Sequence, residues 1–317
     1  MSLLGIDIGG TKTVVAIADD SGKIIAQSRL NTPREQGPVA VLAEIERSAR
    51  GLLTHHESRI TSVGIGCGGP LDPERGIILT VPNLPGWENL PLADYFSKAF
   101  GAPAYLDNDV NLAALAEARK GAGVGIDHIA YFNIGTGIGG GIVIGGKLYR
   151  GCGNAGEFGH QIIVPDGPPC LCGKWGCLES LASGTSIARR ASESGFVGSA
   201  EEVARAAREG DSVARRTMDE TAEYLGLGVA NVVNILNPRM VIMGGGVMKA
   251  ADLLLDGIRR TVSDRAMTQL ANDVEIVPGV LGDQAGITGA ILLAIEGSMS
   301  SCDSTGESEV GIIRREG

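Results

Sequence analysis

The sequence contains no apolar run approaching the roughly 18 residues that a membrane-spanning helix needs. It opens directly into Leu3-Leu4-Gly5-Ile6-Asp7, so neither a membrane span nor a signal peptide is expected, and a cytoplasmic setting is. A basic cluster is missing too: 27 Lys and Arg against 37 Asp and Glu leave a net charge of −10. That balance argues against nucleic acid as the main partner. Cysteine is sparse, six in 317 residues, which suits a reducing compartment. Also absent are a Walker A loop and a G-x-G-x-x-G fingerprint within a βαβ unit, so neither standard nucleotide-binding pattern applies.

What the chain does have is glycine, 48 residues, about twice the usual share. The glycines cluster where strands turn, and the segments between them are apolar and periodic. This favours phosphate-cradling loops over disorder. With 44% hydrophobic residues, a chain of this length can bury a large core, enough for two lobes.

The most constraining stretch runs from Gly156 to Glu179. It reads G-E-F-G-H, then a Pro-rich spacer, then C-L-C-G-K-W-G-C-L-E. His160, Cys170, Cys172 and Cys177 give three thiolates and one imidazole, a closed set that suits tetrahedral zinc. With all four positions filled by protein, the metal is read as structural. The bland alternative is three reduced, buried cysteines beside an unrelated histidine. Cys67, Cys152 and Cys302 fall outside the set and read as free or packed thiols.

Taken in order, strands are expected over Leu3–Ile8, Thr13–Ala18 and Lys23–Leu30, then a helix over 37–54 from its apolar spacing. A strand Ser62–Cys67, a turn-rich segment over 71–90, a helix and a strand Ala104–Leu106 follow. Asp109 reads as the N-cap of a helix through Arg119. Residues 128–149 then repeat the opening pattern of strand, glycine turn with threonine, and strand, which suggests two related lobes. Later come a long helix marked by Met218 to Leu236, a strand Met240–Met243, a strand near Val274–Val277 and a helix over 284–296. Lobes are expected over 1–112, joined by the helix 284–297, and over 113–283 with the zinc knot; 298–317 reads as a loose tail.

Asp7, between apolar strand residues, would need a cation or donors, and a Mg²⁺–phosphate complex supplies both. Gly9, Gly10, Thr11 and Lys12, with Gly135, Thr136 and Gly137, offer amides and hydroxyls to phosphates. Gly244, Gly245 and Gly246 allow a base or ribose to approach closely. Asp109, at a strand-to-helix junction, is the best candidate base for phosphoryl transfer to an alcohol. Asn83, Asn108, Glu157, His160 and Glu179 read as a polyol-binding set.

Together, D-I-G-G-T-K, G-T-G-I-G-G-G, G-E-F-G-H and C-L-C-G-K-W-G-C-L-E resemble the ROK family (repressors, open reading frames, sugar kinases). V-P-N-L-P-G-W and N-D-V-N look most like its glucokinase branch. The likeness covers about residues 3–296. It implies an α/β, actin-like ATPase and sugar kinase fold (ribonuclease H-like, duplicated), with two lobes around a cleft that takes ATP. It would make Asp109 the base for the sugar 6-hydroxyl, with Asn83, Asn108, Glu157, His160 and Glu179 as sugar contacts. Val110 stands where the family more often has alanine. The expected partners are a hexose, most simply glucose, and ATP with Mg²⁺, in a homodimer or homotetramer. Rival readings are a kinase for N-acetylmannosamine, N-acetylglucosamine, mannose or fructose, a polyphosphate-using kinase, and a sugar-sensing regulator. The regulator is disfavoured because the first strand begins at Leu3 and the chain is acidic.

Overall fold

The computed structural model describes residues 2–54, 59–81 and 84–303. Asn83, one of the sugar-contact candidates, lies outside them, as does the tail from 304 on. The chain divides into two compact units, one built from the stretch ending at Asp109 and the stretch beginning at Ile287, the other from Val110–Gly286.

The first unit begins with β1 (Ser2–Ile8), β2 (Lys12–Ala18) and β3 (Ile24–Asn31), an antiparallel meander. Side chains alternate across β1, so Leu4, Ile6 and Ile8 bury against the helix α1 (Gly37–Leu53) while Leu3 faces the other way. In α1 the buried residues are Val41, Leu42, Ile45 and Ala49, the apolar stripe expected from the spacing. The next strand, β4 (Ile60–Cys67), is covered on both faces and reads as a continuous apolar run. The turn-rich segment departs from expectation: β5 (Leu71–Asp72), β6 (Ile77–Thr80) and β7 (Glu88–Leu90) form a small antiparallel sheet. Strands this short carry little pattern of their own, and buried Leu71, Ile78 and Trp87 fix them from the core. The helix α2 (Leu92–Phe100), ended by left-handed Gly101, leads to β8 (Ala104–Asn108), two residues longer than its apolar pattern suggests. The sheet order is β3-β2-β1-β4-β8, with β1, β4 and β8 parallel.

The helix α3 (Asp109–Lys120) opens the second unit, followed by β9 (Ile129–Ile134), β10 (Ile138–Ile144) and β11 (Lys147–Leu148). Helices α4 (Leu178–Ala182), α5 (Gly184–Glu193), α6 (Ala200–Glu209) and α7 (Ser212–Leu236) come next. Then β12 (Met240–Gly244), α8 (Ala251–Arg265), α9 (Thr268–Asp273) and β13 (Glu275–Pro278) complete the unit. Its sheet, β11-β10-β9-β12-β13, repeats the order and the strand directions of the first. The chain thus carries a duplicated ribonuclease H-like arrangement, as in actin-like sugar kinases. On one face Phe132, Ile134 and Ile138 pack with α4, α5, α7 and α8; on the other Tyr131 and Val143 pack with α3.

The last helix, α10 (Ala285–Asp303), returns to the first unit and covers the face of its sheet opposite α1. Ser62 Oγ donates to the carbonyl of Ala294 at 2.8 Å. The helix extends six residues beyond 297, because helix propagation from an anchored segment costs little per residue. Among the described residues no helix is long and apolar enough to cross a membrane.

Candidate active site

In the first unit the parallel strands bring Asp7, Gly66 and Asp107 into one row, with Ile8, Cys67 and Asn108 in the next. These rows are the carboxyl ends of β1, β4 and β8, the edge where open α/β sheets place their chemistry. Asp109 follows at once. It is the first residue of α3 rather than its cap, a position where the helix N-terminus favours an acidic side chain. Burial, and then the charge of Asp109, push the Asp7 carboxyl up to about 7. Burial also drives the Cys67 thiol far up, reinforced by Asp109 and Asp7. Two carboxylates therefore share one low-dielectric edge, an arrangement that calls for a cation or a proton.

The first glycine turn closes with Gly9 N–H donating to Lys12 at 3.0 Å. Thr32, which the sequence reading did not single out, braces it: its hydroxyl donates to the Gly9 carbonyl at 2.8 Å and lies 2.9 Å from the Thr13 hydroxyl.

In the second unit the G-E-F-G-H motif has a simple logic. Phe158 plugs the core, its ring 4.7 Å from that of Phe132. Gly156 and Gly159 lie so close to β10 that a Cβ on either would collide with its main chain. Glu157 is left outside, with a side chain 61% exposed, and His160 Nε2 lies 3.8 Å from its Oε2. The other ring nitrogen, Nδ1, lies 3.7 Å from Cys170 Sγ.

Cys172 Sγ and Cys177 Sγ are also 3.7 Å apart, far beyond a disulfide, and the four ligand atoms of His160, Cys170, Cys172 and Cys177 lie within 4.8 Å of one another. A tetrahedron with metal–sulfur bonds of about 2.3 Å and a metal–nitrogen bond of about 2.0 Å has edges of roughly 3.5–3.8 Å. The set fits structural zinc. Burial pushes the Cys177 thiol up to about 12, a cost that a coordinated cation reverses. Glu179 ties this knot to the second glycine turn: its Oε2 accepts from Ile138 N–H at 2.8 Å, and its Oε1 lies 3.8 Å from Cys170 Sγ.

That turn, Gly135-Thr136-Gly137, is held by the start of α5. Gly184 N–H donates to the Gly135 carbonyl at 2.8 Å and the Thr185 hydroxyl to the Thr136 carbonyl at 2.9 Å. Beside it opens a cavity of about 730 Å³, with Thr136, Thr185, Ile187, Met218, Gly246 and Val247 among its walls. A helix N-terminus and a glycine turn at one end, with apolar walls beyond, suit a phosphate chain followed by a base. Of the third glycine loop only Gly246 faces this cavity. Gly244 is needed by the Tyr131 ring packed on it, and Gly245 by its φ of 91° and the adjacent Ile134 main chain. Sequence reading missed Thr185, Arg208 and Lys249 at this cavity. Thr185, just after Ser183, whose hydroxyl caps α5 by accepting from Ser186 N–H at 3.2 Å, carried the one usable signal.

Residues 3–297 match the ROK family. The chain belongs to it. Among ROK relatives, the glucokinase of Halalkalibacterium halodurans is 37% identical over 306 residues, covering 90% of this chain and 92% of that one. The glucokinase of Thermotoga maritima is 38% identical over 307 residues, covering 92% and 96%. The structure of a ROK family glucokinase from Streptomyces griseus, in complex with glucose and AMPPNP, superposes with a TM-score of 0.80 at 35% identity over 94% of this chain and 100% of that one. The xylose repressor of Caldicellulosiruptor bescii is 31% identical over 94% of this chain but 79% of its own length.

Proposed function

We propose that this ROK protein is an ATP-dependent hexose kinase that phosphorylates glucose at its 6-hydroxyl. The observation that carries the reading is the carboxylate pair at the carboxyl ends of β1 and β8, Asp7 and Asp109, in a chain whose glucokinase relatives match it nearly end to end. In this reading Asp109 accepts the proton of the 6-hydroxyl. That hydroxyl oxygen bonds to the γ-phosphorus while the bond from phosphorus to the departing ADP oxygen breaks. The Mg²⁺ that accompanies ATP would supply neutralisation of the transferring phosphoryl charge, and Asp7 would help to hold it. The turn of Gly9, Gly10, Thr11 and Lys12, closed by the Gly9 amide, and the turn of Gly135, Thr136 and Gly137, closed by the Gly135 amide, cradle the phosphates; Gly246 and the cavity beside it take the nucleoside.

For the sugar, Asn83, Asn108, Glu157, His160 and Glu179 supply hydrogen bonds. His160 is suited to two jobs at once, with Nδ1 turned to the sulfurs and Nε2 to Glu157. The thiolate set also supports a reducing, cytoplasmic setting. Exposed Leu171 and Trp175 on the knot support a homodimer or homotetramer, which sedimentation would reveal.

The deciding experiment is a panel of glucose, mannose, fructose, N-acetylglucosamine and N-acetylmannosamine, assayed with ATP and with polyphosphate in parallel. Glucose with ATP should give the highest kcat/KM. Preference for an N-acetylated sugar, or for polyphosphate, would move the chain to another branch of the family.

A further inference from the structure

Glu117 is a buried carboxylate, 1% exposed, on a helix that otherwise buries alanine, leucine and the neutral Asn111. A charge placed there is expensive unless its oxygens are satisfied. Two main-chain amides satisfy them, and they come from widely separated parts of the chain. Ala122 N–H, in the turn after α3, donates to Oε2 at 2.9 Å. Leu281 N–H, in the turn before α10, donates to Oε1 at 2.9 Å. The Glu117 carbonyl takes part as well, accepting from Gly121 N–H at 3.1 Å and Gly123 N–H at 2.9 Å. Gly279 passes so near that a Cβ there would stand 2.8 Å from Oε1.

The places it joins are distinctive. The chain leaves the first unit at Asp109 in α3 and re-enters it at Ile287 in α10. One carboxylate therefore fastens the roots of both connections to the second unit. The same helix that carries Glu117 begins, eight residues earlier, with Asp109, a rise of about 12 Å along one continuous helix. We infer that Glu117 is a positioning residue for phosphoryl transfer: by fixing α3 and the approach to α10 it sets where Asp109 stands. This rests on the reading of Asp109 as the base. Glu117 touches no substrate; it acts through the helix.

The test uses full-length protein. Glu117→Gln keeps the shape but presents an amide donor to one of the two N–H groups. Gly279→Ala leaves the carboxylate in place and crowds Oε1 from outside. Each should lower kcat per active site by about tenfold or more, the scale of sub-ångström to ångström misplacement of a reacting group. The KM for ATP and the bound zinc should stay as in the parent, since neither Glu117 nor Gly279 is among the groups proposed to bind ATP or the zinc ligands. A merely structural role would lower the melting temperature or the active fraction and leave kcat per active site unchanged, and that result overturns the inference. Failure of both variants to fold would likewise make Glu117 a stability residue only. Asp109→Asn run alongside separates the two readings. If Asp109→Asn loses turnover while the other variants keep it, the positioning role falls alone. If Asp109→Asn keeps turnover, the base assignment falls and the positioning role with it.

Discussion

In the proposed mechanism Asp109 and Asp7 divide the work that one carboxylate could not do. Removing the proton acceptor while keeping its shape, Asp109→Asn, should cost at least about a hundredfold in kcat with hexose binding largely kept, the usual scale for a general base. Steady-state kinetics beside a hexose binding titration check it; near-parental turnover would shift attention to buried Asp107. Asp7 makes a separate prediction about pH. Its carboxyl is raised to about 7 in the fold from an ordinary value of 3.8. Between those values the native state holds a proton that the unfolded chain has released, so stability falls as pH rises through that window. The ligand-free enzyme should therefore lose stability, on the order of a few kcal/mol, from pH 5 to pH 8, and melt at progressively lower temperature. Asp7→Asn should flatten the slope, and equal slopes in the two proteins would remove Asp7 as its cause.

Among the elements, the zinc knot was the easiest to read in the sequence, because its ligands lie within eighteen residues and metal chemistry restricts their type. The paired hairpins were legible for a similar reason: alternation and glycine turns are local signals. The cavity proposed to take the nucleoside was not. Its walls come from α5, α6, α7 and the turn after β12, residues such as Ile187, Ala204 and Val247 that look like any core positions. Glu117 was equally hidden, since an acidic residue on a helix ordinarily faces solvent, and only its burial and its two amide partners, one nearby and one 164 residues away, show otherwise. The knot's prediction follows from its ties. Purified protein should carry about one zinc per chain, and stripping it with a chelator should cost stability. Because His160, Glu157 and Glu179 hang on the knot, Cys170→Ser or zinc removal should raise the hexose KM by about tenfold, more than the ATP KM. Hexose affinity unchanged after zinc loss, read by calorimetry, would reduce the knot to a staple of the fold.

At the scale of the whole molecule, the first unit is assembled from both ends of the chain. Its sheet is completed on one face by α1, close in sequence, and on the other by α10, more than two hundred residues away. Long-range packing of this kind leaves little local trace in a sequence. The contact between α10 and β4 is unusually close, for a Cβ on Gly64 would overlap the Ala290 carbonyl. Gly64→Ala should thus push α10 from the sheet, at a cost of about 1–3 kcal/mol for overpacking. Each unit carries its own reporter, since Trp87 is fully buried in the first and Trp175 is 60% exposed on the knot of the second. With single-tryptophan proteins, Gly64→Ala should move the Trp87 denaturation midpoint to lower urea and leave the Trp175 signal and the zinc content in place. A common shift of both tryptophans would mean that the two units unfold as one, and a shift in neither would mean that α10 contributes nothing to the first unit.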